Sequence, residues 1–208
     1  MKQVVIVDYG LGNIFSIRQA LEAVGCEPLV SNNVQHLREA DGILLPGVGA
    51  FGDAVGKLNE YKLRDVLKDE VSKGKPFLGV CLGLQLLMTK SFEFGEHEGL
   101  NIIPGTVNRF PETSEGHELN VPFIGWNHWN KVKEDQSIDG IEDHSKLFLV
   151  HSFYVKPDVE ADVIATSSYQ GFRYPVILRR GKVLGVQGHP EKSGPDGLKI
   201  YSNWLKSL

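Results

Sequence analysis

Three short apolar runs constrain this chain more than anything else in it. Val4-Val5-Ile6-Val7, Gly42-Ile43-Leu44-Leu45 and Pro76-Phe77-Leu78-Gly79-Val80 carry no polar side chain on either face. A strand without alternation must be buried on both sides, which is the condition of a parallel sheet covered by helices. The segments between them have helical spacing. Ile14, Ile17, Leu21 and Val24 recur on one face of residues 14–24, and Gly25 stops them. Residues 27–30 read as a second short strand, 34–40 as a short helix, and 50–58 and 62–72 as two more helices, ended by Gly74. This alternation predicts an α/β fold: an open, mostly parallel twisted sheet flanked by helices. In such sheets reactive groups gather in the loops at the carboxyl ends of the strands. Gly-bearing loops follow Val7, Leu45 and Val80.

The pattern changes after about residue 91. Residues 91–105 read as a polar loop holding Phe92 and Phe94, and 112–118 as a polar, mobile stretch. Runs at 106–109, 123–126, 147–150, 163–167, 175–178 and 183–187 predict an antiparallel strand extension, with a hairpin turn at Arg180-Gly181. Leu198, Ile200, Tyr201, Trp204 and Leu205 place a closing helix over 196–208. With no repeat, linker or low-complexity tract, residues 1–208 read as a single domain.

Composition narrows the function classes. A net charge of -4 over 208 residues offers no electrostatic footprint for nucleic acid or an anionic membrane. No apolar run approaches spanning length, and no signal-type segment opens the chain, so a cytoplasmic location is expected. The two cysteines, Cys26 and Cys81, form no CxxC pair and no disulfide framework, which fits a reducing compartment. Cys26, behind Gly25, reads as a core residue.

Cys81 is different, because Gly79-Val80-Cys81-Leu82-Gly83 follows an apolar run and precedes the helix-like Leu84-Gln85-Leu86-Leu87-Met88. That is the pattern of a nucleophile elbow, a sharp strand-to-helix turn whose glycines allow close packing. A thiol at a helix N-terminus is favoured as thiolate. A small buried Cys in a strand would fit the spacing equally well, so the partners decide. Gly185-Val186-Gln187-Gly188-His189-Pro190-Glu191 supplies them. A catalytic thiol needs a base that takes its proton and later returns it, and the imidazole needs a carboxylate to fix its tautomer. Cys81, His189 and Glu191 supply nucleophile, base and orienter. Pro46-Gly47-Val48-Gly49, at a neighbouring strand end, is either an ordinary turn or a source of oxyanion donors. In the second case the N–H of Leu82 would act with one from Val48 or Gly49.

Other chemistries lack their motifs. His97 lies between Glu96 and Glu98 without HExxH or Cys/His ligand spacing, so it reads as a solvated loop residue and no metal is expected. Gly10-x-Gly12 has no third glycine and no phosphate loop follows any strand, so no cofactor is expected. Asp41, Asp53, Asp65 and Glu70 read as helix-end and surface charges.

The elbow through Gln85, together with His189-Pro190-Glu191, resembles the class I (triad) glutamine amidotransferases, whose sheet is flavodoxin-like. Asp8-Tyr9-Gly10-Leu11-Gly12-Asn13, Gly125-Trp126-Asn127, His151-Ser152-Phe153-Tyr154 and Glu191-Lys192-Ser193 are similar to the glutaminase subunits of imidazole glycerol phosphate synthases. The resemblance implies hydrolysis of L-glutamine through a Cys81 thioester. It also implies delivery of ammonia to a (β/α)8 cyclase partner in a heterodimer serving histidine biosynthesis. A paralogous subunit feeding a related barrel in sugar or surface-polysaccharide amidination is the alternative. By the family pattern, Gly49, Gln85, Glu93, Ser152 and Phe153 would bind glutamine, and Asn13, Trp126 and Lys192 would face the partner. Without the resemblance, Trp126 reads as a core aromatic and Lys192 as a solvated lysine. The chain departs from the family at Ser91-Phe92-Glu93-Phe94, where consecutive acids are frequent, and at Phe123, where a histidine often stands.

Overall fold

The computed structural model describes residues 2–208. Strands β1 (Val4–Val7), β2 (Leu29–Ser31), β3 (Gly42–Leu45) and β4 (Phe77–Val80) alternate with helices α1 (Ile14–Ala23), α2 (Val34–Glu39), α3 (Phe51–Glu60) and α4 (Arg64–Ser72). A five-residue helix, α5 (Leu82–Leu86), follows β4. The second half contains β5 (Met88–Ser91), β6 (His97–Glu98), β7 (Ile103–Arg109), β8 (Thr113–Ser114), β9 (His117–Glu118), β10 (Phe123–Lys131), β11 (Lys146–His151), β12 (Phe153–Pro157), β13 (Val163–Tyr169), β14 (Phe172–Arg180) and β15 (Val183–Val186). Helix α6 (Gly194–Lys206) closes the chain.

One nine-stranded sheet runs in the order β11-β10-β13-β14-β15-β4-β3-β1-β2. From β15 to β2 it is parallel. From β15 to β11 it is antiparallel. The expected open α/β sheet with its antiparallel extension is therefore present, and its two halves are equal in pairings. Strand β15 joins them: antiparallel to β14, parallel to β4. Every residue of β1, β3, β4 and β15 is buried, as unalternating runs require.

The two faces carry separate cores. On one, Ile17, Ala20 and Leu21 of α1 meet Ile200, Tyr201 and Trp204 of α6 over Val4, Ile6, Leu44 and Leu78. On the other, Leu37, Phe51, Ala54, Leu58 and Leu67 from α2 to α4 pack over Val5, Val7, Ile43 and Leu45. A second sheet, β12-β7-β5-β6, extends this second core through Met88, Ile103, Val107 and Val155.

This small sheet differs from the expected polar loop at 91–105. Helix α5 ends early because residues 99–103 turn back onto it: Leu100 N–H donates to the Leu86 carbonyl, and Ile102 and Ile103 N–H to that of Leu87. Met88 thereby starts a strand rather than ending a helix. Residues 112–118, expected to be mobile, form a small hairpin whose turn, Glu115-Gly116, has φ of 50° and 81°. Positive φ at both turn positions is what a two-residue hairpin loop needs. Glu70, expected at the surface, is buried and bridges Lys73 at 2.8 Å and Lys75 at 2.7 Å. Burial raises its carboxyl, but the two lysine hydrogen bonds and charges outweigh that and lower it.

Candidate active site

Parallel pairing puts the carboxyl ends of β3, β4 and β15 side by side. Val186 is level with Val80, and Leu45 with Gly79. The next residues along each strand are the ones that matter: Pro46 to Gly49, Cys81, and Gln187 to His189.

Cys81 caps α5 with φ 56° and ψ -114°. A non-glycine residue in the positive-φ region is strained, and such strain persists only where the surroundings over-determine it. Here they do. A Cβ on Gly83 would lie 2.0 Å from the Leu45 carbonyl oxygen, and one on Gly79 2.7 Å from that of Gly83. The turn is compressed against β3 and β4, and only glycine fits at either flank. The Cys81 N–H donates to the Val186 carbonyl at 2.8 Å, which ties the elbow to β15.

His189 is fixed from three sides. Its N–H donates to Phe148 O at 2.8 Å, and its carbonyl accepts from Ser193 Oγ at 2.7 Å. Its Nδ1 lies 2.8 Å from Glu191 Oε1. A carboxylate can only accept, so Nδ1 carries the proton and Nε2 is left for the thiol. Glu191 has no solvent-accessible side-chain surface, and Tyr201 Oη donates to its other oxygen at 3.2 Å. Burial alone would lower the His189 pKa. Hydrogen bonds to Cys81 and Glu191, and their charges, overcome this and raise it to about 10.

The turn after β3 is held from beneath. Tyr9 Oη donates to Pro46 O at 2.8 Å. Burial first, and then the Cys81 charge, keep the Tyr9 phenol protonated. Gly49 has φ of 100° and Val48 is 40% exposed, so this end of the turn is open to solvent.

A cavity of about 250 Å³ brings these groups together, lined by Val48, Gly49, Cys81, Leu82, Gln85, Glu93, Pro122, Val150, His151, Ser152, Phe153 and His189. All of the residues expected at the thiol, the turn and the glutamine pocket line it, with one exception. Glu191 stands behind His189 and reaches the cavity only through the imidazole. Glu93 accepts the Phe51 N–H at 2.7 Å, supplying the N-terminal cap that Ala50 cannot give α3. Burial raises its carboxyl against the opposing effects of that hydrogen bond and of His97.

His151, Gln187 and Tyr201 had no chemical role legible in the sequence. His151 Nδ1 lies 2.8 Å from the Phe153 carbonyl, and burial lowers its pKa to about 4. Polar residues ending otherwise apolar strands were the signal available for His151 and Gln187. Tyr201 was hidden in the apolar face of its helix.

The three residues expected to face a partner lie outside the cavity. Trp126 is 62% exposed, which excludes the core position. Its Nε1 donates to Lys192 O at 3.4 Å, and the Lys192 ammonium lies 5.6 Å from the Phe148 ring centre. Asn13 caps α1, accepting from Ser16 N–H at 3.5 Å. Trp129, three residues along β10 and so on the opposite face from Trp126, is buried. His97 packs against the Phe51 ring rather than standing in solvent. Among the described residues no cluster of three His, Cys, Asp or Glu side chains could hold a metal ion, and no helix is long and apolar enough to cross a membrane.

Comparison with known proteins places the chain in a family. The family model for glutamine amidotransferase class-I matches residues 5–208. The imidazole glycerol phosphate synthase subunit HisH of Geobacter metallireducens is 41% identical over 209 residues, covering 100% of this chain and 99% of that protein. The HisH subunit of Methanosarcina barkeri is 44% identical over 206 residues, covering 99% and 98%. Among solved structures, that of PurLQS from Thermotoga maritima superposes with a TM-score of 0.75 at 19% identity, covering 100% of this chain and 99% of the matched one, and so shares the fold. The chain belongs to the class-I glutamine amidotransferase family.

Proposed function

We propose that this chain is the glutaminase subunit of an imidazole glycerol phosphate synthase, and that it hydrolyses L-glutamine at Cys81. The observation that carries the reading is the buried relay from Glu191 through His189 to the thiol, opening on a cavity that fits a small amino acid. Cys81 passes its proton to His189 Nε2, its sulfur attacks the side-chain amide carbon of glutamine, and the carbonyl oxygen becomes an oxyanion. The N–H of Leu82, with one from Val48 or Gly49, stabilises that charge. His189 gives its proton to the departing nitrogen, so ammonia leaves and a glutamyl thioester remains. Water, losing a proton to His189, attacks the thioester. Glutamate departs and the thiol is restored.

Glu191 does no chemistry on substrate. It holds the imidazole in the tautomer that presents Nε2, and Tyr201 holds Glu191. Gln85, Glu93, Gly49, Ser152 and Phe153 bind the amino-acid end of glutamine. Ammonia passes to a (β/α)8 cyclase that docks over Trp126, Lys192 and Asn13, forming a heterodimer in the cytoplasm. The HisH relatives, each a subunit of such a synthase, support the partner. Because the Val48–Gly49 end of the turn is open, a shift of one of its peptides on partner binding would complete the oxyanion site and raise activity. A lost oxyanion donor costs about 10²–10³ in rate, enough for a switch.

The test is glutamate release from L-glutamine by the chain alone, by the chain with its cyclase partner, and by Cys81→Ser with that partner. Strong release only in the wild-type complex is expected. Release that survives in Cys81→Ser overturns the reading.

A further inference from the structure

Gln187 is fully buried at the end of β15, two residues before His189, and no step above uses it. Its Oε1 accepts from Gln85 Nε2 at 3.3 Å. The same Gln85 nitrogen donates to the Phe153 carbonyl, also at 3.3 Å. That carbonyl in addition accepts from His151 Nδ1 at 2.8 Å. Both protons of the Gln85 amide are thus committed to the protein, one to Gln187 and one to Phe153. An amide has two donor protons and one oxygen, so what Gln85 has left is an acceptor. Gln85 lines the cavity beside Cys81.

An amide side chain is nearly symmetric in shape, and its final torsion is soft. Without outside partners, Gln85 could present either its oxygen or its NH2 group to a ligand. The Phe153 carbonyl alone would hold one proton and leave the second able to donate to a ligand. The second acceptor, Gln187 Oε1, removes that freedom. Gln187 itself bears a cost: its Nε2 is buried and has no hydrogen-bond partner. A buried donor left unpaired destabilises a fold, and an isosteric apolar side chain would avoid the penalty. A residue that is poor for stability and bonded to a cavity-lining amide is explained by what it does to that amide.

We propose that Gln187 is a positioning residue. It fixes the orientation of the Gln85 amide so that Oε1 faces the cavity as an acceptor for the α-ammonium of the bound amino acid. The proposal rests on the reading of the cavity as a glutamine site. It predicts selection for a ligand whose amino group is a cation, since a carboxylate or neutral acceptor in the same place would find no donor on Gln85.

The experiment uses the complex of this chain with its cyclase partner and follows glutamate release at varied L-glutamine. Gln187→Met removes the acceptor at similar volume. KM for glutamine is expected to rise about tenfold with kcat changed less than threefold, and the melting temperature is expected to be unchanged or higher because the unpaired donor is gone. Gln85→Met and the double variant complete a cycle. In the Gln85→Met background the Gln187 change is expected to add nothing. An unchanged KM in Gln187→Met overturns the proposal. Two effects that multiply in the double variant also overturn it, because Gln187 would then act independently of Gln85. A fall in kcat together with a lower melting temperature assigns Gln187 to structure instead. Absence of glutamine hydrolysis in the wild-type complex would instead refute the glutaminase reading on which the proposal is built.

Discussion

The carbonyl of Val186 accepts the backbone N–H of Cys81 at 2.8 Å, so the nucleophile's turn is the last rung of the β4–β15 ladder. The thiol and the imidazole three residues beyond Val186 therefore share one rigid frame. Preorganisation of this kind is what a relay needs, since its members gain from geometry fixed before substrate arrives.

Glu191→Gln keeps the size of the orienting group but can donate to Nδ1 and select the other tautomer. We expect glutamine hydrolysis in the partner complex to fall by about 10²–10⁴, in line with the loss of an orienting carboxylate elsewhere. The imidazole reports the cause directly. The His189 titration, near 10 in the wild type, is expected to move down in Glu191→Gln and in Cys81→Ala, because each removes a hydrogen bond and a negative charge that raise it. Nitrogen NMR of the labelled histidine measures this, and an unmoved midpoint contradicts the assignment.

His151 gives a stability signature of opposite sign. Its folded pKa, about 4, lies below the unfolded value of 6.5 because burial disfavours the cation. The unfolded chain binds this proton first as pH falls. Stability is therefore lost between pH 6.5 and about 4 and levels below that. The full loss from this group is roughly 3 kcal/mol. Urea unfolding of His151→Phe should show a shallower decline across that window than the wild type.

Two helical glycines should respond oppositely to alanine. At Gly56 in α3 an added Cβ meets nothing within 4 Å, so Gly56→Ala should stabilise by about 0.5–1 kcal/mol. At Gly83 it would lie 2.0 Å from the Leu45 carbonyl oxygen, forcing backbone apart, so Gly83→Ala should cost about 3 kcal/mol or more. Thermal melts of the two variants compare them in one experiment.

Trp126 is mostly solvent-exposed. Trp126→Ala should leave the melting temperature of the isolated chain nearly unchanged and weaken association with the cyclase by about 2 kcal/mol, the range of an aromatic interface anchor. Titration calorimetry against the purified partner measures it.

The parallel half of the fold was legible because buried strands show as unbroken apolar runs and helices as a 3.6-residue period. The small sheet was not. Met88-Thr89-Lys90-Ser91 follows the apolar face of α5 without a break, and only backbone bonds from residues 99–103 end the helix there. Strand β12 hid behind Pro157 and a motif valued for other reasons, although Phe153 and Val155 are its two buried positions. The thiol, the imidazole and the carboxylate could be read because each sits on a short motif. Gln187 could not, because its effect on Gln85 crosses 102 residues of chain and depends on which way an amide points.

The Glu93 carboxylate, accepting the Phe51 N–H, has a consequence for inheritance. The loop that bears it caps the helix that begins just after the turn at 46–49. Changes in length or sequence at 91–95 are thus transmitted to the start of α3, 42 residues before Glu93, and through it to the turn. The two segments are bound to drift together, and a loop grafted here from a relative should be exchanged along with residues 46–53.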